Sequence, residues 1–125
     1  MPSIMDMKHQ EISEAMKRGE LTVTVVGLGR MGLPTACLFA EAGAKVVGAD
    51  TDRHIVETLG RGESPFVELG LASLIRKHTQ SNRIAVTMDV RQAASQGDAI
   101  LIMVPTGVDT AMRPDYSAVE RACRE

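Results

Sequence analysis

Aromatic residues are almost missing from this chain: no tryptophan, one tyrosine (Tyr116) and two phenylalanines (Phe39 and Phe66). The core must therefore be aliphatic, with methionines filling irregular gaps. Cysteine is scarce too, only Cys37 and Cys123. Two cysteines make neither a disulfide scaffold nor a zinc site, and they point to a reduced, cytoplasmic setting. His9, His54 and His78 share no ligand spacing, so they are expected on the solvated surface and no metal is expected. Long apolar runs are absent. The longest near the end, residues 99–104, is far short of a membrane span, and the N-terminus has no apolar signal region. Neither charge dominates. A net charge of −2 gives no electrostatic ground for binding nucleic acid or an anionic membrane.

Glycine, by contrast, is concentrated where it can act. Residues 25–36 read VVGLGRMGLPTA, and Asp50 closes the next apolar run. This is a dinucleotide-binding fingerprint with its strand before it, its helix after it and its acid in place. Gly27 allows the tight turn off the strand. Gly29 lets a pyrophosphate approach the backbone. Gly32 lets the helix pack close. Arg30 and Met31 sit at the helix start, where free N–H groups and a partial positive charge favour phosphate. The Arg30 side chain is expected either along the pyrophosphate or in solvent. Asp50 is expected to accept hydrogen bonds from the adenosine ribose hydroxyls, which disfavours the 2′-phosphate of NADP and favours NAD. Arg53 is expected on the adenine face or in solvent, although it could also meet a 2′-phosphate. Asp52 is a helix cap.

The rest alternates strand and helix. An amphipathic helix over residues 4–18 comes first, read as a cover for one end of the sheet, and residues 1–20 are set apart as a helical extension. Strands are predicted at residues 22–26, 45–49, 83–87 and 99–104. Helices are predicted at residues 31–42, 53–59, 71–77 and 89–95, with a last one from Asp115 after a loop over 105–114. The 99–104 run, AILIMV, is apolar on both faces, as for a parallel strand covered on both sides. Residues 21–125 thus predict a Rossmann-type α/β fold: a doubly wound parallel sheet of four strands in order 3-2-1-4. Four strands fall short of the usual six, so an incomplete fragment of a longer protein is expected. Pro105 and Thr106 then lie at the carboxyl end of the fourth strand, at the topological switch point.

Beyond the glycines, the chain resembles the nucleotide-sugar 6-dehydrogenases, the UDP-glucose/GDP-mannose dehydrogenase superfamily. The resemblance rests on GLGRMGLPTA (27–36), VVGADTD (46–52), RGESPFVELGL (61–71), GDAILIMVPT (97–106) and RPDYSAVE (113–120). Residues 32–36 and 61–63 are most similar to the UDP-N-acetyl-D-mannosamine branch. The resemblance implies that NAD is the cofactor and that Thr106 lies near its nicotinamide half. It also implies a full-length enzyme, a homo-oligomer, that oxidises the C6 alcohol of a nucleotide sugar to the uronic acid with two NAD. The cysteine that holds the aldehyde in that family belongs to a later domain, and no residue here matches it. The sequence departs from many relatives at Pro105-Thr106-Gly107, where they carry Pro-Thr-Pro, and at Glu68-Leu69-Gly70-Leu71, where they carry Glu-Pro-Gly-Leu. Two other readings remain at this point. The 3-hydroxyacid dehydrogenases share the glycine turn, but do not predict Ser64-Pro65-Phe66 or Pro114-Asp115-Tyr116. A nucleotide-sensing module would use the same fold without chemistry.

Overall fold

A computed structural model describes residues 3–105, 107–108 and 110–124. Four parallel strands form the main sheet in the order β3-β2-β1-β4. They are β1 (Thr22–Val26), β2 (Lys45–Ala49), β3 (Ile84–Thr87) and β4 (Ala99–Ile102). Valine, isoleucine and threonine dominate them, as suits a pleated surface packed on both sides. β1 is central, pairing Val26 with Ala49 on one side and with Ile102 on the other.

Two cores lie on opposite faces. Helices α2 (Gly32–Glu41), α3 (Arg53–Gly60) and α4 (Leu71–Gln80) cover the first face. There Leu33, Ala36, Cys37, Ala40, Leu59 and Ile75 meet Val23, Val25 and Val46. The small residues Ala36 and Ala40, one turn apart, let α2 lie close to the sheet. Helix α5 (Val90–Gln96) covers the second face, where Val90 and Ala93 meet Val26, Val47 and Ala49. Thr24, fully buried, satisfies its hydroxyl by donating to the Ala93 carbonyl at 2.7 Å. The crossover from one face to the other puts β4 beside β1 and opens the crevice between their carboxyl ends. Both expected caps are formed. Asp52 accepts the His54 N–H at 2.9 Å to start α3, and Asp89 accepts the Gln92 N–H at 3.0 Å to start α5.

Several details depart from expectation. The N-terminal helix is split into a short 3-10 turn, Ile4–Asp6, and α1, His9–Lys17. Ser3 caps the turn by accepting the Met5 N–H, and Met5 itself stays exposed. Ala15 and Met16 of α1 seal the amino end of the sheet, leaving an apolar pocket of about 80 Å³ between Ile12, Phe39 and Leu101. β4 is not covered on both sides. Ile100 is 47% and Ile102 39% exposed, because α5 packs over β1 and β2 and leaves that face of β4, the edge strand among the described residues, uncovered. The loop after it holds a two-residue antiparallel ladder, β5 (Gly107–Val108) with β6 (Pro114–Asp115). The last helix, α6, is Ser117–Arg124, with the Asp115 carboxylate accepting the Ser117 N–H at 3.0 Å.

His78 is the clearest correction. It is buried, not solvated. Leu71, Ile75 and His78 fall on one stripe of α4, so the ring points into the α2–α4 contact. Its Nε2–H donates to Glu41 Oε1 at 2.7 Å, and Lys77 Nζ donates to the same oxygen at 2.9 Å. These donors, Lys77 first and His78 second, hold the Glu41 carboxyl below its ordinary range. Cys37, on the preceding turn of α2, is buried as expected. Burial, with Glu41 adding to it, pushes its thiol up to about 11, so it is an inert core side chain.

Thr58 carries the one conspicuous flaw in the core. Its buried hydroxyl has no hydrogen-bond partner among the described residues. Thr58→Val keeps the shape and removes the orphaned group, so it is expected to raise unfolding stability by about 1 kcal/mol. Chemical denaturation checks this; a loss of stability would mean that the hydroxyl finds a partner in solution.

Candidate functional site

The glycine turn joins β1 to α2, and each glycine in it answers to a different constraint. Gly27 has φ +98°, a left-handed backbone that side chains rarely adopt, and a Cβ there would lie 2.6 Å from the Met103 carbonyl oxygen. A Cβ on Gly32 would collide with the carbonyl of Gly27 itself. Both are therefore glycines for internal packing. Gly29 is not. A Cβ there would meet nothing within 4 Å, and its backbone lies outside the left-handed region. The protein leaves that space open with no structural need to do so.

The helix start faces the same opening. Among the described residues the N–H groups of Gly29, Arg30, Met31 and Gly32 take no backbone partner. Gly29 and Arg30 supply two of these donors from the glycine turn before the helix, and Met31 and Gly32 are among the donors that a helix leaves free at its first turn. Pro34 falls in that turn, where its missing N–H costs nothing. Together with the helix dipole these donors suit an anion.

Asp50 follows β2 and is held by the turn it faces. Its Oδ2 accepts the Leu28 N–H at 2.8 Å and its Oδ1 accepts the Asp52 N–H at 2.8 Å. Two backbone donors fix the carboxylate plane and leave further lone pairs free on both oxygens. A cleft of about 580 Å³ opens from here, floored by Val26, Gly27, Gly29 and Ala49 and bounded by Asp50, Ile55, Val90 and Val104. Pro105 lines it from the end of β4, as the topology requires. Ala118, Arg121 and Ala122 of α6 line the far side.

The remaining expected site residues are less central. Met31 is 71% exposed and stands at the N-cap of α2, its side chain turned to solvent. Arg53 opens α3 on the exposed side of Asp52 and does not line the cleft. Thr106 lies outside the described residues. Arg30 does not line the cleft either. Its guanidinium stacks over the Phe66 ring, Cζ lying 5.2 Å from the centroid. Phe66 had no place in the site from sequence, although Ser64-Pro65-Phe66 stood out as a motif. Nor were Ile55 and Arg121 expected at the cleft. His9 and His54 are exposed, and among the described residues no His, Cys, Asp or Glu cluster suits a metal ion.

The arrangement fits a dinucleotide. An open face at Gly29, free amides at a helix start and an oriented carboxylate across the turn match a pyrophosphate flanked by a ribose diol. Comparison with known proteins makes the assignment. Residues 21–125 match the NAD binding domain of the UDP-glucose/GDP-mannose dehydrogenase family. The chain belongs to this family. It is 39% identical over 103 residues to UDP-N-acetyl-D-mannosamine dehydrogenase of Escherichia coli, covering 82% of this chain and 24% of that protein. It is 38% identical over 103 residues to NDP-N-acetyl-D-galactosaminuronic acid dehydrogenase of Ralstonia nicotianae, covering 82% and 23%. The solved UDP-glucose dehydrogenase of Pyrobaculum islandicum superposes with TM-score 0.80 at 33% identity, over 83% of this chain and 24% of that one. The chain thus spans about a quarter of the length of these relatives, the quarter that in this family binds NAD. The match sets aside the 3-hydroxyacid dehydrogenases. Among the described residues no helix is long and apolar enough to cross a membrane.

Proposed function

We propose that this chain is the NAD-holding part of a nucleotide-sugar 6-dehydrogenase, which oxidises the C6 alcohol of a UDP-sugar to the uronic acid, with UDP-N-acetyl-D-mannosamine as substrate. The observation that carries the cofactor reading is Gly29, open on its side-chain face, set in one cleft with the tethered carboxylate of Asp50. NAD, when bound, supplies the hydride acceptor. The chain's own residues bind and orient it. Backbone amides from Gly29 to Gly32 take the diphosphate, with Arg30 beside them. Asp50 takes the adenosine ribose, Arg53 flanks the adenine, and Pro105 and Thr106 border the nicotinamide half. In this reading residues 1–20 are an extension and residues 21–125 the cofactor domain. The N-acetylmannosamine substrate is favoured by the 39% relative; the 38% relative makes N-acetylgalactosamine the next candidate sugar.

Calorimetric titration tests the cofactor. NAD is expected to bind and NADP to bind more weakly. Binding and chemistry separate in the same sample: with UDP-N-acetylmannosamine or UDP-glucose, these 125 residues alone are expected to form no NADH. Neither cysteine matches the aldehyde-holding cysteine that the family resemblance places in a later domain: Cys37 is buried in the core and Cys123 is exposed on the last helix. NADH formation that Gly29→Val abolishes would overturn this division of labour.

The reading also includes a cytoplasmic homo-oligomer. Among the described residues β4 is the edge of the sheet and carries the exposed Ile100 and Ile102, which supports self-association of these 125 residues, since an apolar edge strand is a template for pairing. Light scattering is expected to show the apparent mass rising with concentration. A monomer at every concentration would mean the edge is protected.

A further inference from the structure

We infer that Phe66 is a positioning residue for the cofactor's diphosphate: its ring holds the Arg30 guanidinium beside the glycine turn. This rests on the NAD reading above. Arg30 directly follows Gly29, and its guanidinium lies over the Phe66 face. A cation–π contact of this kind is made to the ring face and does not use up the guanidinium's N–H donors. The N–H edges remain free to donate to phosphate oxygens.

The ring itself is anchored. Phe66 packs against the main core, although it sits in the exposed loop between α3 and α4. Ser64 closes that loop around it, Oγ donating to the Phe66 carbonyl at 2.6 Å and accepting the Phe66 N–H at 3.2 Å. Arg30 has no carboxylate partner among the described residues. Its charge is therefore not already neutralised by the protein. An arginine left exposed would lose its rotamer freedom on meeting a phosphate. Arg30 has surrendered much of it in advance, which favours binding. The α3–α4 loop, distant in sequence from the fingerprint, thereby takes part in holding the cofactor.

The test is NAD affinity, measured by calorimetry over a series of salt concentrations. Arg30→Gln and Phe66→Leu are each expected to bind about three- to tenfold more weakly, the scale of a cation–π contact, with a shallower salt dependence than the parent. The double variant should bind no worse than Arg30→Gln alone, because Phe66 acts through Arg30. Phe66→Tyr, which keeps a ring face, should restore affinity. Full-strength binding by Phe66→Leu, or losses that multiply in the double variant, would overturn the inference. Should Phe66→Leu fail to fold, Ser64→Ala loosens the ring without removing it. A loss of about two- to threefold in the same direction is then expected, and none would count against the inference. Absence of NAD binding by the parent chain would overturn the cofactor reading and this with it. Normal parental binding with an indifferent Phe66 would overturn this alone.

Discussion

Gly29→Val is expected to fold like the parent and to lose NAD binding, by about 100-fold or more. The two halves of that expectation come from one observation. A Cβ at residue 29 would meet no protein atom within 4 Å beyond its chain neighbours, so the fold has little to lose. The space it enters is the face of the turn where the diphosphate must reach the backbone amides. Gly32→Val is expected to fail in the opposite way. Its Cβ would strike the Gly27 carbonyl, and relief requires α2 to move off β1. Destabilisation of more than about 3 kcal/mol is expected, on the scale of severe overpacking. Thermal melting with and without NAD reads both at once. NAD should raise the parent's melting temperature, leave that of Gly29→Val unchanged, and meet little folded Gly32→Val. Equal NAD affinity in Gly29→Val and parent would show that the cofactor does not pass over this turn.

What was legible in the sequence follows from which forces are local. β1 and β2 were readable to the residue, because a threonine–valine run ends in glycine and a valine-rich run ends in aspartate at the turns that stop them. The caps at Asp52 and Asp89 were readable because a carboxylate meets an N–H two or three residues on. The strand order followed from crossover handedness, once the strands were placed. β4 was misread in one respect. An apolar run announces a preference for burial, but the neighbour that would cover Ile100 and Ile102 is not a local matter.

His78 and Arg30 mark the other limit. The stripe Leu71, Ile75, His78 carried a usable signal, but histidine's usual place at the surface outweighed it. Only the meeting of α2 and α4 supplies Glu41 as the partner that makes burial tolerable. For Arg30 no periodic pattern could help. Phe66 reaches it only because the chain, after descending α3, climbs back to the carboxyl end of the sheet before α4. Glycine and carboxylate positions of the candidate site are thus written locally, whereas the side chains that tune it are brought in by the return of distant loops.

Asp50→Ala is expected to weaken NAD binding by about 1–3 kcal/mol, roughly 5- to 150-fold, the cost of losing charge-assisted hydrogen bonds. The same carboxylate accepts the Leu28 and Asp52 N–H groups, so a second loss should accompany the first. Stability should fall by about 1–2 kcal/mol, because the ends of β1 and β2 are no longer tied. The two effects separate by measuring affinity well below the melting temperature. Asp50→Asn separates them by chemistry. Its amide oxygen can still accept one backbone N–H, but the charge that repels a 2′-phosphate is gone. It should recover part of the lost stability and narrow the gap between NAD and NADP. If Asp50→Ala melts early but binds NAD undiminished, the carboxylate is a tie between strand ends and nothing more. If the parent chain already binds NADP as well as NAD, the negative charge at residue 50 does not set cofactor choice, and Arg53 becomes the residue to test for a 2′-phosphate contact.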